Sequence, residues 1–141
     1  MNIFDKYPYI VVEGPIGSGK STLAKLLANR FNANMFSEKA ERNPFLPKFY
    51  EDMKHYALPT QLFFLFQRAN QISELNQKDF FRSGIVSDFF LQKDPIFARL
   101  NLDNDEFKLY LQIYQHLELK APVPDLVIYL QTPVDLLRQR V

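Results

Sequence analysis

The run Gly14-Pro15-Ile16-Gly17-Ser18-Gly19-Lys20-Ser21-Thr22 fits the pattern G-x-x-x-x-G-K-[ST] at every fixed position. Each part of such a loop has a physical task. Glycines let the backbone curl so that successive N–H groups point at phosphate oxygens with no Cβ in the way. A helix starting at the loop aims its positive end at the same anion. Lys20 reaches the β and γ phosphates, and the Ser21 hydroxyl can ligate Mg²⁺. The loop therefore binds the phosphates of a nucleotide, but it is shared by GTPases, motor and transport ATPases and small-molecule kinases. The N-K-x-D segment by which GTPases read their base is absent from the sequence. A carboxylate for the metal is offered twice, by Asp88 in "IVSD" and by Asp125 in "VPD". Asp125 precedes its strand, and ligands gather at the carboxyl ends of parallel strands, so Asp88 is the better metal candidate.

These groups need a scaffold, and the flanking patterns supply one. "YIVV" before the loop is short, apolar and β-branched, as in a buried parallel strand. From Ser21 the apolar residues Leu23, Leu26, Leu27 and Phe31 recur at helical spacing, opposite Lys25, Asn29 and Arg30. "ANMFSE" reads as a second short strand. "NPFLPKFYEDMKHY" enters a helix through Asn-Pro. "LPTQLFFLFQRANQISELNQ" reads as a long helix begun by Pro59 and Thr60, apolar on more than one face. "SGIVSDFF" is a turn followed by a buried strand ending near Ser87 or Asp88. "LDNDEFKLYLQIYQHLELK" has Asp103 as N-cap and acids in its first turn, then Phe107, Tyr110, Leu111, Tyr114 and Leu117 along one face. After the connector "APVPD", "LVIYLQTP" reads as another buried strand, and "VDLLRQRV" begins a helix. Strands alternating with helices predict an α/β domain with a parallel sheet and helices on both faces.

Composition agrees with one ordinary globular domain spanning residues 1–141: 47% apolar, 23% charged, net charge +1. Charge this balanced and this dispersed argues against a nucleic-acid or membrane surface. With no cysteine there is neither a disulfide framework nor thiol chemistry. The N-terminus lacks the apolar run of a signal peptide, and no stretch approaches the roughly 20 apolar residues of a membrane span, so a cytoplasmic location is expected. The 14 Phe and 7 Tyr are mostly core, with a few available to line a pocket for a flat ligand.

In order and spacing, "YIVVEGPIGSGKSTLAKLLA", "SEKAERNPFLPKFYED", "PTQLFFLFQRANQ", "VSDFFLQKDPIFARLNL" and "PDLVIYLQTPVDLL" resemble the deoxyribonucleoside kinases, and most closely the bacterial deoxyadenosine/deoxyguanosine kinase type. That resemblance covers nearly the whole chain. It implies a P-loop kinase fold and ATP- and Mg²⁺-dependent transfer of a γ-phosphoryl group to the 5′-hydroxyl of a deoxyribonucleoside, a purine one by subfamily, in nucleotide salvage. Glu38 matches the family carboxylate that accepts the 5′-hydroxyl proton, with Glu41 as runner-up. A hydroxyl is a poor nucleophile, so a base within hydrogen-bond reach is physically sensible. Tyr50 matches the residue that binds the sugar 3′-hydroxyl, and Gln61 the amide that reads the base edge with donor and acceptor together. Arg68 lies two helical turns beyond Gln61, on the same face. It matches an arginine near the base and the catalytic carboxylate, and on so apolar a helix it requires a partner. Phe97 matches a ring that stacks on the nucleobase, and Asp94 a residue that reads the base, with Lys93 competing for that match.

Two features depart from the family pattern. Many members carry an acidic residue, then Arg and Ser, after the third strand. Here the stretch is "SDFF", in which Asp88 supplies the metal role and the arginine is missing. The arginine-rich lid that closes over the ATP phosphates in the family should follow the last helix, and the domain reads as truncated before it. Arg138 and Arg140 lie just ahead of that point as lid-side charges or as solvated helix residues. Without a lid, little activity is expected of this polypeptide. Two alternatives stay open: a nucleoside monophosphate kinase, which needs arginines such as Arg42 and Arg68 for the acceptor phosphate, and a nucleotide-binding module without turnover. The apolar surplus of "QLFFLFQRANQISEL" predicts a homodimer.

Overall fold

A computed structural model describes residues 2–15, 17–77, 83–118 and 121–140. In chain order the elements are α1 (Ile3–Lys6), β1 (Tyr9–Glu13), α2 (Lys20–Phe31), β2 (Asn34–Phe36), α3 (Leu46–Glu51), α4 (Met53–Gln77), β3 (Ile85–Ser87), α5 (Asp94–Asn101), α6 (Asn104–Glu118), β4 (Leu126–Tyr129) and α7 (Val134–Arg140). Short 3₁₀ turns occupy Ala40–Arg42 and Leu91–Lys93. The chain forms two compact units. One holds residues 1–37, 75–90 and 123–141, and the other 38–74 and 91–122.

The first unit is a parallel sheet in the order β2-β3-β1-β4. "YIVVE" is buried at all five positions, as an unbroken apolar strand at the centre of a parallel sheet should be. Its residues point alternately to opposite faces. Ile10 and Val12 join Val86, Ala24 and Ala28 of α2, while Tyr9 and Val11 meet Ile85, Phe36 and Phe90. The strand–loop–helix order read from the sequence is therefore the observed one.

Three details differ from the sequence reading. Within α2, Leu26 is exposed and the small Ala24 and Ala28 take the sheet-facing positions, flanked by Leu23, Leu27 and Phe31. Close approach of helix to sheet favours the smaller side chains. β4 lies at the edge of the sheet and is half-buried: Leu126 and Ile128 face the core while Val127 and Tyr129 are exposed. Its unbroken apolar sequence concealed a period-2 pattern. The long helix begins at Met53 rather than at Pro59, because the Asp52 carboxylate accepts the His55 N–H at 3.3 Å and caps it. Pro59 sits inside this helix at the cost of one backbone bond.

The second unit is helical. Along α4 the buried residues Ala57, Gln61, Leu65 and Ile72 define one stripe. α6 opens with a reciprocal cap in which Asp103 accepts from the Glu106 N–H (2.8 Å) and Glu106 accepts from the Asp103 N–H (3.1 Å). The face expected from the sequence is inward, with Tyr110 and Tyr114 buried. Phe107, Tyr110 and Tyr114 stack in series at 6.1 Å between successive ring centroids.

Candidate active site

In the first unit, β1 delivers the chain into the glycine loop at the carboxyl end of the sheet. Gly17 (φ 85°) and Gly19 (φ 91°) adopt the left-handed backbone that the curl requires. The Ser18 N–H closes a turn on the Pro15 carbonyl at 3.1 Å. Gly14 is needed for space instead: a Cβ there would lie 2.5 Å from Ser18 Oγ and 3.2 Å from the Leu130 carbonyl. Gly19 caps α2 without any side-chain bond, so the first amides of that helix are left for an anion. Lys20 opens α2 with its Nζ 3.8 Å from Glu13 Oε1, and the Gly14 N–H donates to the same oxygen at 2.9 Å. Ser21 Oγ donates to Asp88 Oδ2 at 2.8 Å. Thr22 is exposed in the same turn, and Ile16 lies outside the described residues.

These residues fit a metal–nucleotide complex. A hydroxyl and a carboxylate hydrogen-bonded at the loop form a hard-oxygen pair of the kind Mg²⁺ takes, alongside phosphate oxygens. Among the described residues, no group of three His, Cys, Asp or Glu could hold a metal by itself. Among the described residues Ser18 Oγ is buried without a partner, an orphan polar atom beside the anion cradle. An open cleft of about 520 Å³ adjoins the loop, lined by Pro15, Tyr129, Gln131, Thr132 and Pro133.

The second unit gathers four side chains. Arg68 of α4 donates through Nη1 to Asp94 Oδ1 and through Nη2 to Glu38 Oε1. The second oxygen of Asp94 accepts from the Tyr110 hydroxyl. The partner that Arg68 was expected to need is thus a pair of carboxylates. Burial alone would lower the guanidinium pKa, but attraction and hydrogen bonds from Glu38 and Asp94 outweigh it and the net direction is upward. Burial raises the Asp94 carboxyl, against the opposing pull of Arg68 and the Tyr110 bond. The Tyr110 phenol is raised as well, by burial and by the adjacent Asp94 charge. The Phe64 ring lies 5.1 Å below the guanidinium.

The other expected acceptor residues fall in this same unit. Gln61 is buried on α4, Tyr50 is 70% exposed on α3, and Phe97 is 44% exposed on α5 with Lys93 Nζ 5.5 Å from its ring centroid. Asp94 is 1% exposed, with both oxygens engaged. Glu41 is exposed on its 3₁₀ turn, whereas Glu38 is held by Arg68. Two participants escaped the sequence reading. Glu13 was visible as an acid ending the strand before the first glycine. Tyr110 was visible only as a buried ring whose hydroxyl must find a partner, and nothing in the sequence said that the partner is Asp94.

A parallel α/β sheet whose first strand feeds this loop defines a P-loop nucleotide-binding protein of the kinase type. The deoxynucleoside kinase family model matches residues 10–141, and the chain belongs to that family. It is 35% identical over 136 residues to a deoxyguanosine kinase of Bacillus subtilis, covering 95% of this chain and 65% of that protein. With a deoxyadenosine kinase of Lactobacillus acidophilus the identity is 33% over 142 residues, covering 94% and 64%. A structure of the deoxyadenosine kinase from M. mycoides with bound dATP superposes with a TM-score of 0.79 at 27% identity, covering 94% of this chain and 69% of that one. The chain thus spans about 65% of the length of the curated relatives it matches.

Proposed function

We propose that the whole protein transfers the γ-phosphoryl group of Mg-ATP to the 5′-hydroxyl of a deoxyribonucleoside, a purine one by preference, as a cytoplasmic salvage enzyme. On this reading Lys20 and the loop amides hold the donor phosphates, and Ser21 and Asp88 hold Mg²⁺, which supplies charge neutralisation on the transferring phosphate. Glu38 accepts the hydroxyl proton. Tyr50 and Gln61 bind sugar and base, Phe97 stacks on the base, and Arg68 orients Glu38 with Asp94 behind it. The relatives named as deoxyguanosine and deoxyadenosine kinases support the purine preference.

One observation carries the choice of a nucleoside over a nucleotide as acceptor. The Arg68 guanidinium is already engaged by two carboxylates, Glu38 and Asp94. An acceptor phosphate would be repelled there, and Arg42, the other arginine available to it, is exposed on a 3₁₀ turn. This disfavours a nucleoside monophosphate kinase.

The test is a panel of deoxynucleosides with the full-length protein and Mg-ATP. At least one should be phosphorylated at the 5′ position, and Glu38→Gln should lower kcat by about 10²–10⁴-fold. No product from any of them, or full turnover by Glu38→Gln, overturns the reading. The apolar surface of α4, with Phe66 exposed, supports a homodimer, which light scattering on the same preparation would reveal as twice the monomer mass.

A further inference from the structure

The four linked side chains differ sharply in how firmly each is held. Tyr110 is the fixed end. It is fully buried, its ring is sandwiched between Phe107 and Tyr114, and its helix is closed by the Asp103–Glu106 cap two turns earlier. Asp94, the first residue of α5, is equally inaccessible, with one oxygen on Tyr110 and the other on Arg68. Arg68 is less constrained. Among the described residues its Nε is buried without a partner, and the two Nη donors and the Phe64 ring fix the plane of the guanidinium. Glu38 is the least buried of the four. Its side chain is 27% exposed, and it lies in an irregular segment between β2 and the Ala40–Arg42 turn, so no regular element fixes its backbone.

We propose that Tyr110 is a positioning residue for the proton-accepting carboxylate: its hydroxyl holds Asp94, Asp94 holds one edge of the Arg68 guanidinium, and the other edge holds Glu38. This rests on the reading of Glu38 as the base. Order passes from the stacked rings of α6 to a carboxylate in an irregular segment. No proton travels along the chain, because Arg68 donates at both of its links and a guanidinium does not give up its protons. Without the Tyr110 hydroxyl, Asp94 Oδ2 is buried and unsatisfied, and the carboxylate is left on its single bond to Arg68, about which it can turn. The guanidinium then rotates about its unheld Nε, and Glu38 loses its fixed direction. A base misplaced by a fraction of an ångström loses rate without losing substrate affinity.

Tyr110→Phe removes the hydroxyl and keeps the ring stack. In the full-length protein it should lower kcat about tenfold, the equivalent of one buried hydrogen bond, with the KM for Mg-ATP changed less than about twofold. In a Glu38→Gln background the same substitution should change the residual rate by less than about twofold, since there is no base left to position. A merely structural role for Tyr110 would multiply through both backgrounds. An independent reading comes from the ¹⁵Nη resonances of Arg68. They should be separate in the parent, where both ends of the fork are held, and should merge through faster rotation in Tyr110→Phe. An unchanged kcat, an equal loss in both backgrounds, or unaltered Arg68 resonances overturns the proposal. If the parent phosphorylates no deoxynucleoside, the reading of Glu38 as the base falls, and the Arg68 resonances still decide whether Tyr110 fixes the guanidinium.

Discussion

Substituting Gly14 by alanine should break the phosphate loop without touching any group that contacts phosphate through its side chain. The added Cβ would lie 2.5 Å from Ser18 Oγ, 3.2 Å from the Leu130 carbonyl oxygen and 3.3 Å from Leu130 Cβ. These obstacles are not equal. Ser18 Oγ makes no hydrogen bond and can rotate away. The Leu130 carbonyl belongs to backbone pinned to β1, since the Leu130 N–H donates to the Glu13 carbonyl at 2.8 Å. The loop must therefore lift away from the end of β4. Overpacking of this kind costs about 1–3 kcal/mol, roughly five- to 150-fold in affinity if it falls on the nucleotide-competent loop. Calorimetry with Mg²⁺ and a non-hydrolysable ATP analogue would measure it, with thermal melting to separate loss of binding from loss of fold. Gly14→Ala combined with Ser18→Ala should recover only the hydroxyl's share, leaving the larger part that Leu130 imposes. Nucleotide affinity within twofold of the parent would refute the reasoning, and full recovery in the double variant would shift the cause from Leu130 to Ser18.

Asp88→Asn keeps the acceptor for the Ser21 hydroxyl but removes the charge offered to the metal. The Mg²⁺ concentration needed for half-maximal nucleotide binding should rise by about 10–100-fold, and an unchanged Mg²⁺ dependence in a calorimetric titration would remove Asp88 from the metal site. Tyr9 provides a pH signature. Burial raises its phenol from 10.0 to about 12 in the folded protein, so the folded state binds this proton more tightly than the unfolded one. The resulting stability is complete below pH 10 and is lost as the pH rises through about 12, a change on the order of 3 kcal/mol. Urea unfolding of the parent and of Tyr9→Phe across this range should show a steeper alkaline loss in the parent, and parallel curves would contradict the assignment.

The donor side of the site was legible in the sequence because it is local. Strand, glycines, lysine and helix follow one another within a single run, and each residue's task is set by its immediate neighbours. Asp88 could be added because a parallel strand has only one end at which ligands gather. The proposed acceptor side is dispersed over Glu38, Tyr50, Gln61, Arg68, Asp94 and Phe97, and only resemblance assembled it. Helical spacing put Gln61 and Arg68 on one face, and the cost of a buried charge demanded a partner for Arg68. Neither consideration could say that the partners would be Glu38 and Asp94. Tyr110 stayed hidden because its position reads as core and its ring is core. Only its hydroxyl reaches the Arg68 cluster, through Asp94. α4 starts at Met53 and not at Pro59 because a good cap, Asp52, fixes a helix start more firmly than a proline two turns later.

Asp125 was set aside as a metal candidate because it lies at the opposite end of the sheet from the loop, and there it acts as a clasp. Its carboxylate accepts the Tyr9 N–H at 2.8 Å while its own N–H donates to the Tyr9 carbonyl at 2.8 Å. From that clasp β1 and β4 run in step, Ile10 beside Leu126 through Glu13 beside Tyr129. The next residue on each strand is Gly14 and Leu130, the pair whose closeness forbids a side chain at the loop's entrance. The strands thus work as a ruler zeroed at Asp125. The floor beneath the phosphates is set by counting residues from a point that no nucleotide touches, and a slip of one place would put a different backbone carbonyl under the loop.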